Sequence, residues 1–326
     1  MSNAPVKSCI FCSIGLTAFN EEKNIATILT ALQNQKLEKV IIDEIIVISS
    51  GSTDKTVAIA GKFAKNDKRI QVVTELKRNG KASAVNIFID IARNDVLILE
   101  SADTIPDLKT IERLASPFID ENIGITGSHP MPVNSKKTFI GFAVNCLWNL
   151  HHEISLKNPK MGETIAFRKS FKKIPVLSAV DEVNIEALIK GQGYKALYIP
   201  DAIVRNKGPE TMQDFIKQRR RIYAGHLATK EEYSYIVSTS SGTKIFAILM
   251  KNLLKESFKD VKHIILFPKI FLFSMFTILL EVYSRLLGYW DFKILNKKHT
   301  VWEIAETTKD LHTIPNLHLQ QQTLTK

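Results

Sequence analysis

The chain has 326 residues, which is enough for one large domain with an appendage or for two modest domains. Its 44 Lys and Arg residues outnumber its 33 Asp and Glu residues, and the net charge of +11 favours a polyanionic partner such as an anionic membrane surface or a phosphorylated substrate. Zinc-finger, basic-zipper and aromatic RNA-binding signatures are absent from the sequence, so nucleic acid is not an expected partner. Cys9 and Cys12 lie at a predicted strand without a second pair or a nearby His, which indicates packing residues in a reducing compartment.

Strand and helix patterns alternate along the first hundred residues. The strands are expected at 10–17, 43–49, 71–74 and 96–99, and the helices at 20–33, from 54 to about 64, and at 82–92. Such alternation predicts a mostly parallel α/β sheet with helices on both faces. Farther on we expect a strand at 123–126, an irregular loop at 127–134, helices at 139–154, 181–190 and 213–223, and short strands at 196–199 and 202–204.

The stretch 95–106 is the first candidate for a functional site. Its buried strand ends abruptly at Glu100, Ser101 and Asp103, and open α/β sheets place ligands at the carboxyl ends of their strands. A carboxylate at that edge suits a hard divalent metal that carries a nucleotide's phosphates. Glu100 alternates to the other face of the strand. The alternative interpretation is an ordinary strand-to-turn transition.

Two polar loops of the same region are candidates for binding a nucleotide. Segment 49–54 (Ser-Ser-Gly-Ser-Thr-Asp) offers amides and hydroxyls at a helix start, where an anion or a nucleoside edge can bind. Turn chemistry with a helix cap explains the same residues equally well. Segment 77–81 (Lys-Arg-Asn-Gly-Lys) would neutralise a diphosphate, or it forms a solvated loop.

Three later features have structural alternatives of their own. Asp181 and Glu182 open a helix, and Ser178 three residues earlier resembles a capping arrangement. The basic helix 213–223 is a solvated face, a membrane contact or a phosphate clamp. The adjacent pair at 151–152 cannot share one helix face, which argues against a joint metal site and leaves at most one His facing a pocket.

The composition changes after residue 241. Segment 245–254 is amphipathic, and 264–280 is almost wholly apolar, at the lower length limit for a membrane span. Lysines flank the apolar segment on both sides, which favours a re-entrant hairpin or interfacial helices over a single span. A buried helix of a soluble domain is the alternative. The polar tail 309–326 is predicted to be loosely ordered.

The order of these motifs resembles the family-two glycosyltransferases, which have an A-type nucleotide-diphospho-sugar fold. The resemblance covers roughly residues 10–225. Its motifs are 17–22 after the first strand, 50–54 (family Asp-Gly-Ser-x-Asp), 80–86 (family Gly-Lys-x-x-Ala-x-Asn), 101–103 (family Asp-x-Asp), 162–168 on the acceptor side, 181–182 (family Glu-Asp) and 218–222 (family Gln-x-x-Arg-Trp).

The resemblance implies an inverting, metal-dependent transferase that moves a sugar from a UDP- or GDP-type donor to an acceptor hydroxyl. Asp103 would bind Mg²⁺ or Mn²⁺, Glu182 would be the general base, and Asp181 would orient the acceptor or cap its helix. The expected donor-binding residues are Thr17, Phe19, Glu21, Ser50, Ser52, Asp54, Arg78, Lys81, Ser101, Ala102, Gln218 and Arg221.

The chain is accordingly expected to contain an N-terminal extension (1–9), a catalytic domain (10–225), membrane-associated helices (226–290) and a polar tail (291–326). The acceptor is expected to be a glycan, lipid-linked or embedded in a membrane, with the catalytic domain on the cytoplasmic side of an anionic membrane surface.

Four departures from the family pattern leave alternatives open. Ser101 replaces the first metal-site acid, Ser50 replaces an acid that reads the base, and the catalytic pair is reversed. Ile222 replaces the Trp of the last motif. One alternative is a non-catalytic, membrane-bound scaffold that binds nucleotide sugars. The other is a nucleotidyltransferase, which would need a basic Gly-rich loop where the acidic segment 17–22 stands.

Overall fold

The computed structural model describes residues 9–240, 242–257, 261–297, 299–301 and 305–309. Its centre is an eight-stranded sheet with the order β3-β2-β1-β4-β7-β6-β8-β5. The strands are β1 (Ile10–Ala18), β2 (Val40–Ser50), β3 (Ile70–Glu75), β4 (Val96–Ser101), β5 (Thr104–Pro106), β6 (Ile123–Pro132), β7 (Ile165–Arg168) and β8 (Lys195–Asn206). The first four strands are parallel, and β7 is antiparallel to both of its neighbours.

The helices of the described residues cover the sheet and extend beyond it. They are α1 (Ile25–Gln33), α2 (Thr56–Asn66), α3 (Lys81–Ile91), α4 (Thr110–Ala115), α5 (Phe139–Ser155), α6 (Asp181–Gly191), α7 (Met212–Tyr233), α8 (Gly242–Ser257) and α9 (Val261–Tyr289). The mostly parallel α/β sheet with helices on both faces confirms the expected fold class.

The core consists of one apolar layer on each face of the sheet. One layer joins β1 and β2 to α1 and α4, and the other joins β4 and β7 to α3 and α6. Gly15 in β1 allows α3 to approach closely, because a Cβ atom there would lie 2.4 Å from the ring of Phe88. This packing places the first turn of α3 beside the carboxyl ends of β1 and β4.

The prediction of a loop at 127–134 is wrong for most of that segment, because the residues up to Pro132 belong to β6. A register shift after Gly127 lets this part of the strand continue beside β8, while β7 pairs only with residues 125–127. Prolines are tolerated there because the strand has a free edge on that side. The two short strands expected at 196–204 are likewise one strand, β8, which bulges around Pro200.

The last helix, α9, packs lengthwise on α5 and α7. Helix α9 contacts α5 through Phe273, whose ring lies 5.5 Å from that of Phe139, and contacts α7 through an ion pair of 2.7 Å between Glu281 and Arg219. By length and composition alone, Phe267–Ile294 is apolar enough to cross a membrane. The expected domain boundary at 225 falls inside α7, and of the predicted tail only Lys309 lies among the described residues.

Candidate active site

The carboxyl ends of β1, β2 and β4 open into a cavity of about 680 Å³ that extends to α5, α7, α8 and α9. Most of the predicted site residues line this cavity. They are Thr17, Phe19, Glu21, Ser50, Arg78, Lys81, Ser101, Ala102, Asp103, Asp181, Glu182, Gln218 and Arg221.

Ser52 and Asp54 are the predicted donor-binding residues that do not line the cavity. The hydroxyl of Ser52 accepts a hydrogen bond from the backbone N–H of Asn20 at 3.1 Å. The carboxylate of Asp54 accepts hydrogen bonds from the backbone N–H and the hydroxyl of Thr56 at the start of α2. These side chains therefore make local turn and helix-start hydrogen bonds, and their contact with a donor stays a prediction.

Phe19 and Glu21 form the wall of the cavity after β1. The guanidinium carbon of Arg78 lies 4.2 Å from the centroid of the Phe19 ring. Lys309 donates a hydrogen bond to the carbonyl of Phe19 at 2.5 Å and another to the carboxylate of Glu21. Burial and the charge of Asp103 raise the pKa of Glu21 to about 7, although Lys309 opposes the shift. No local sequence signal reveals Lys309, because nearly three hundred residues separate it from this wall.

Asp103 lies in the turn between β4 and β5, where the backbone N–H of Ala102 donates to the carbonyl of Thr17 at 3.1 Å. Glu100 faces the other side of β4, as expected, and its Oε1 accepts a hydrogen bond from Thr164 at 2.9 Å. Burial raises the pKa of Glu100 to about 7. The carboxylate available to a metal on the cavity side of this turn is therefore that of Asp103.

The residues around Asp103 fit a hard divalent cation. Their donor atoms are oxygens, and the charge of Asp103 is the largest cause after burial of the raised pKa values of Glu21 and Glu163, so a cation would relieve real repulsion. Among the described residues no group of three or more His, Cys, Asp or Glu side chains could hold a metal alone. Phosphate oxygens of a bound ligand and water would complete the coordination of such a cation, as is usual for Mg²⁺.

The expected catalytic pair stands at the first turn of α6. Lys81 of α3 donates a hydrogen bond to Oε1 of Glu182 at 2.7 Å. Burial raises the pKa of Glu182, but the Lys81 ammonium outweighs this effect and the net pKa is below the ordinary value. Burial raises the pKa of Asp181 to about 7, and its Oδ1 has no hydrogen-bond partner among the described residues.

Capping does not explain why Asp181 and Ser178 occur where they do. The N-cap residue of α6 is Val180, and no side chain forms a cap hydrogen bond there. The hydroxyl of Ser178 instead accepts hydrogen bonds from the backbone N–H of Val180 and, at 2.6 Å, from the side chain of Asn184. Asp181 is 1% exposed, and its carboxylate is buried at the edge of the cavity.

The basic segment 218–221 of α7 lines the cavity, and two of its arginines also pair with acids of α9 and of the turn after it. Arg219 and Arg220 form ion pairs with Glu281 and Asp291. Arg221 reaches the other way and donates to the carbonyl of Ala179 at 3.4 Å, next to the catalytic pair. Arg221 and the neighbouring Gln218 are therefore the residues of this helix that are candidates for contacting a phosphate or an acceptor.

The cavity is also lined by polar residues to which the sequence analysis gave no individual role. Glu163, Lys160 and His226 line it, and so does His151, whose ring nitrogens are buried without hydrogen-bond partners among the described residues. Burial lowers the pKa of His151 well below its ordinary value. Its neighbour in the sequence, His152, turns to the hydroxyl of Tyr198 at 2.8 Å, so only one member of the pair lines the cavity.

An apolar wall completes the cavity. It is formed by side chains of α5, α8 and α9, namely Val144, Leu147, Trp148, Leu150, Ile245, Phe246, Leu249 and Ile278. The cavity thus joins a polar end at the sheet to an apolar end at the helices. The fold and this arrangement agree with the family resemblance of the sequence motifs.

Comparison with known proteins supports this resemblance. The profile of glycosyl transferase family 2 matches residues 13–179, which is more than half of the chain. The chain belongs to glycosyl transferase family 2. The family expected from the motifs is therefore confirmed.

Two curated relatives show how far the sequence similarity extends. An uncharacterized glycosyltransferase of Haemophilus influenzae is 31% identical over 126 residues, which cover 39% of this chain and 36% of the relative. The poly-beta-1,6-N-acetyl-D-glucosamine synthase of Staphylococcus aureus is 26% identical over 221 residues, which cover 63% of this chain and 52% of the relative. The chain spans about half or less of the length of these relatives.

A solved structure shares the fold over most of both chains. Mannosyltransferase PcManGT from Pyrobaculum calidifontis, in complex with GDP-Man and Mn²⁺, has a TM-score of 0.61 to this chain at 17% identity. The similarity covers 88% of this chain and 90% of that protein. At this identity the likeness shows the fold alone.

Proposed function

We propose that this chain is an inverting, metal-dependent glycosyltransferase that uses a UDP- or GDP-linked sugar and a lipid-linked or membrane-embedded glycan acceptor. One observation carries the proposal: a single cavity contains Asp103, the Lys81–Glu182 pair and an apolar wall. Asp103 suits a metal-bound diphosphate, and the Lys81–Glu182 pair suits an acceptor hydroxyl that is to be activated. The apolar wall suits the apolar part of the acceptor.

The donor end holds the nucleotide. Phe19 and Arg78 form a stacked surface beside the short polar residues Thr17 and Ser50, which offers a face and hydrogen bonds to the nucleoside. Asp103 would hold Mg²⁺ or Mn²⁺. When bound, the ion neutralises charge that develops on the leaving nucleoside diphosphate. The guanidinium of Arg221 stays protonated and adds a permanent positive charge at this end.

Glu182 removes the proton from the acceptor hydroxyl as that oxygen attacks the anomeric carbon. The carboxylate is ionised near neutral pH because Lys81 lowers its pKa, and the 2.7 Å hydrogen bond fixes its orientation. Asp181 has a buried oxygen without a partner, which can accept a hydrogen bond from the acceptor and orient it. Attack from the face opposite the diphosphate inverts the configuration of the sugar.

The exposed apolar face of α9 supports the proposal that the acceptor is bound to a membrane. Exposed apolar side chains recur along one face of α9 at Leu272, Phe276, Leu279, Tyr283, Leu286 and Trp290. The opposite face packs on α5 and α7 from Phe273 to Asp291, which is about 27 Å of helix at 1.5 Å per residue. A helix docked lengthwise on a domain lies in the plane of the bilayer surface rather than across it. The net charge of +11 favours an anionic, cytoplasmic leaflet.

A transfer assay over a panel of nucleotide sugars tests the proposal. The purified full chain is incubated with UDP- and GDP-linked sugars, Mn²⁺ and a membrane extract as acceptor, and sugar incorporation into lipid is measured. We expect one donor to be consumed, with loss of transfer when excess chelator is added. A thermal-shift screen of the same donors measures binding independently, because a ligand raises the apparent stability by mass action.

The second candidate is a non-catalytic scaffold that binds nucleotide sugars at a membrane. Ser101 favours it, because the metal segment holds one carboxylate where the family pattern has two. A scaffold would give a thermal shift with one donor but neither transfer to an acceptor nor hydrolysis. Binding together with turnover decides for the enzyme.

A further inference from the structure

The metal segment lacks its first acid, yet the position of that acid still faces the cavity. Ser101, which occupies it, lines the cavity next to Asp103. Mg²⁺ and Mn²⁺ bound to a nucleotide are held by one or two protein carboxylates together with phosphate oxygens. A second carboxylate could therefore come from a neighbouring strand as well as from β4 itself.

The strand that neighbours β4 on this side is β7. The two strands are antiparallel, with Leu99 opposite Ile165. Glu163 lies two residues before the start of β7, and this register continued along the chain leads from it to Ser101. Glu163 and Ser101 both line the cavity.

A hydrogen bond at the intermediate pair shows that the strands stay side by side up to this point. The hydroxyl of Thr164 donates to Oε1 of Glu100 at 2.9 Å, on the face of the sheet away from the cavity. Glu163 itself has φ of +26°, a left-handed conformation that non-glycine residues seldom adopt, so the chain leaves regular strand geometry just before β7.

A third oxygen-bearing side chain reaches the same place from β8. Asn206 is paired with Thr104, the residue after Asp103. Its side-chain N–H donates to Oε1 of Glu163 at 2.9 Å. The residue is 5% exposed and lines the cavity, and its Oδ1 has no hydrogen-bond partner among the described residues. A buried amide oxygen without a donor is costly, and it is a suitable ligand for a hard cation.

The electrostatics of Glu163 agree with this geometry. Burial, followed by the charge of Asp103, raises the pKa of Glu163 to about 7. The two carboxylates therefore repel each other across the cavity, and a divalent ion between them would remove the repulsion.

We infer that Glu163 supplies the second carboxylate of the divalent-metal site, in the place that Ser101 leaves open, with Oδ1 of Asn206 as a neutral oxygen ligand. This inference rests on the proposed function, since it concerns the metal of that same site. The carboxylate that the family pattern has on β4 would then come from the segment just before β7.

Mn²⁺ binding to the full chain tests the inference without relying on activity. MnCl₂ is titrated in the presence of UDP and, in parallel, of GDP, and free Mn²⁺ is measured by electron paramagnetic resonance. Glu163→Gln keeps the size of the side chain and an acceptor for Asn206, and we expect it to weaken Mn²⁺ binding about tenfold or more, as ligand charge count sets affinity. Asp103→Asn should weaken it similarly.

Glu100→Gln is the matched control. It removes a neighbouring buried carboxylate from the opposite face of β4, so it should leave Mn²⁺ affinity within about twofold of the parent protein. The double variant Ser101→Asp with Glu163→Gln returns the carboxylate to β4 at unchanged net charge, and it should recover most of the lost affinity. Thermal unfolding of each variant shows whether it is folded.

The outcomes separate the inference from the proposed function. If Asp103→Asn abolishes Mn²⁺ binding while Glu163→Gln retains the parent affinity, the role of Glu163 is refuted and the metal site stands. Lost binding by Glu163→Gln without recovery in the folded double variant also overturns the inference. If the parent protein neither binds Mn²⁺ with a nucleotide nor transfers a sugar, the proposed function itself is refuted.

Discussion

The two ends of the cavity are built on different principles. The sheet end consists of short polar and acidic side chains placed by strand register, and its carboxylates depend on Lys81 and Lys309 for neutralisation. The helix end is apolar, and its charged residues pair with each other, as Arg219 does with Glu281. In the proposed function, the reaction takes place at the sheet end, and the helix end meets the acceptor and the membrane.

The largest effect should come from the general base at the sheet end. Glu182→Gln keeps the contact with Lys81 but cannot accept a proton, so kcat should fall by about 10²–10⁴-fold. KM for the donor should change little, because the donor does not contact this group in the proposed arrangement. The measurement is steady-state transfer with the donor that the panel selects.

The exposed carboxylate of Glu121 provides the control for this change. Glu121→Gln should transfer sugar at the parent rate. Near-normal turnover by purified, folded Glu182→Gln would refute the assignment of Glu182 as the base and leave Asp181 as the candidate.

The pH dependence distinguishes the same two carboxylates. Because the pKa of Glu182 lies below its ordinary value, kcat at saturating donor and Mn²⁺ should stay nearly constant from pH 8 down to about 6. Asp181, with its pKa raised to about 7, would instead require kcat to fall twofold near that pH. The measurement is the pH profile of the parent protein and of Asp181→Asn. A fall near pH 7 in the parent protein, together with a kcat of Asp181→Asn that is about 10²–10⁴-fold lower at every pH, would identify Asp181 as the base.

A substitution at the helix end should have a smaller effect, which is independent of the first. It should change membrane binding and leave the transfer reaction intact. Leu279→Glu places a charge in the exposed stripe of α9 and should reduce binding to anionic vesicles by roughly tenfold, while transfer to a soluble acceptor is kept. Flotation with vesicles containing phosphatidylserine measures the binding. Leu76→Glu is the control, because Leu76 is the same residue type and even more exposed but lies on the loop after β3. Equal flotation of the two variants would contradict membrane docking by α9.

The sequence predicts the sheet end better than the helix end, for physical reasons. Asp103 and Glu182 belong to short motifs whose position at a strand end or helix start follows from local patterns. The placement of Glu163 depends on the register between β4 and β7, more than 60 residues apart in the chain, and that of Lys309 depends on how the chain returns over β1. Neither relation leaves a local signal.

Local propensity also misled the interpretation of β6. Its Pro130 and Pro132 predict a loop, but a strand tolerates proline where its N–H would face a free edge. Only the tertiary arrangement shows that β7 is short enough to leave that edge free. Loops 50–54 and 77–81 illustrate the opposite case, because the same polar residues can cap a helix or line a cavity. The carboxylate of Asp54 accepts a hydrogen bond from the first residue of α2, whereas Arg78 lines the cavity.

The smallest expected effect concerns stability and separates the two faces of β4. Glu100 has a pKa raised from 4.5 to about 7, so its contribution favours folding most below pH 4.5 and is lost as the pH rises to 7. At one pKa unit per 1.4 kcal/mol, the loss is about 3 kcal/mol. Glu100→Gln keeps an oxygen that accepts from Thr164 and cannot ionise. Its free energy of unfolding should therefore exceed that of the parent at pH 8 by up to this amount and lose the advantage near pH 5. Urea denaturation at both pH values measures the difference, and a constant offset between the two proteins would show that Glu100 does not titrate in this range.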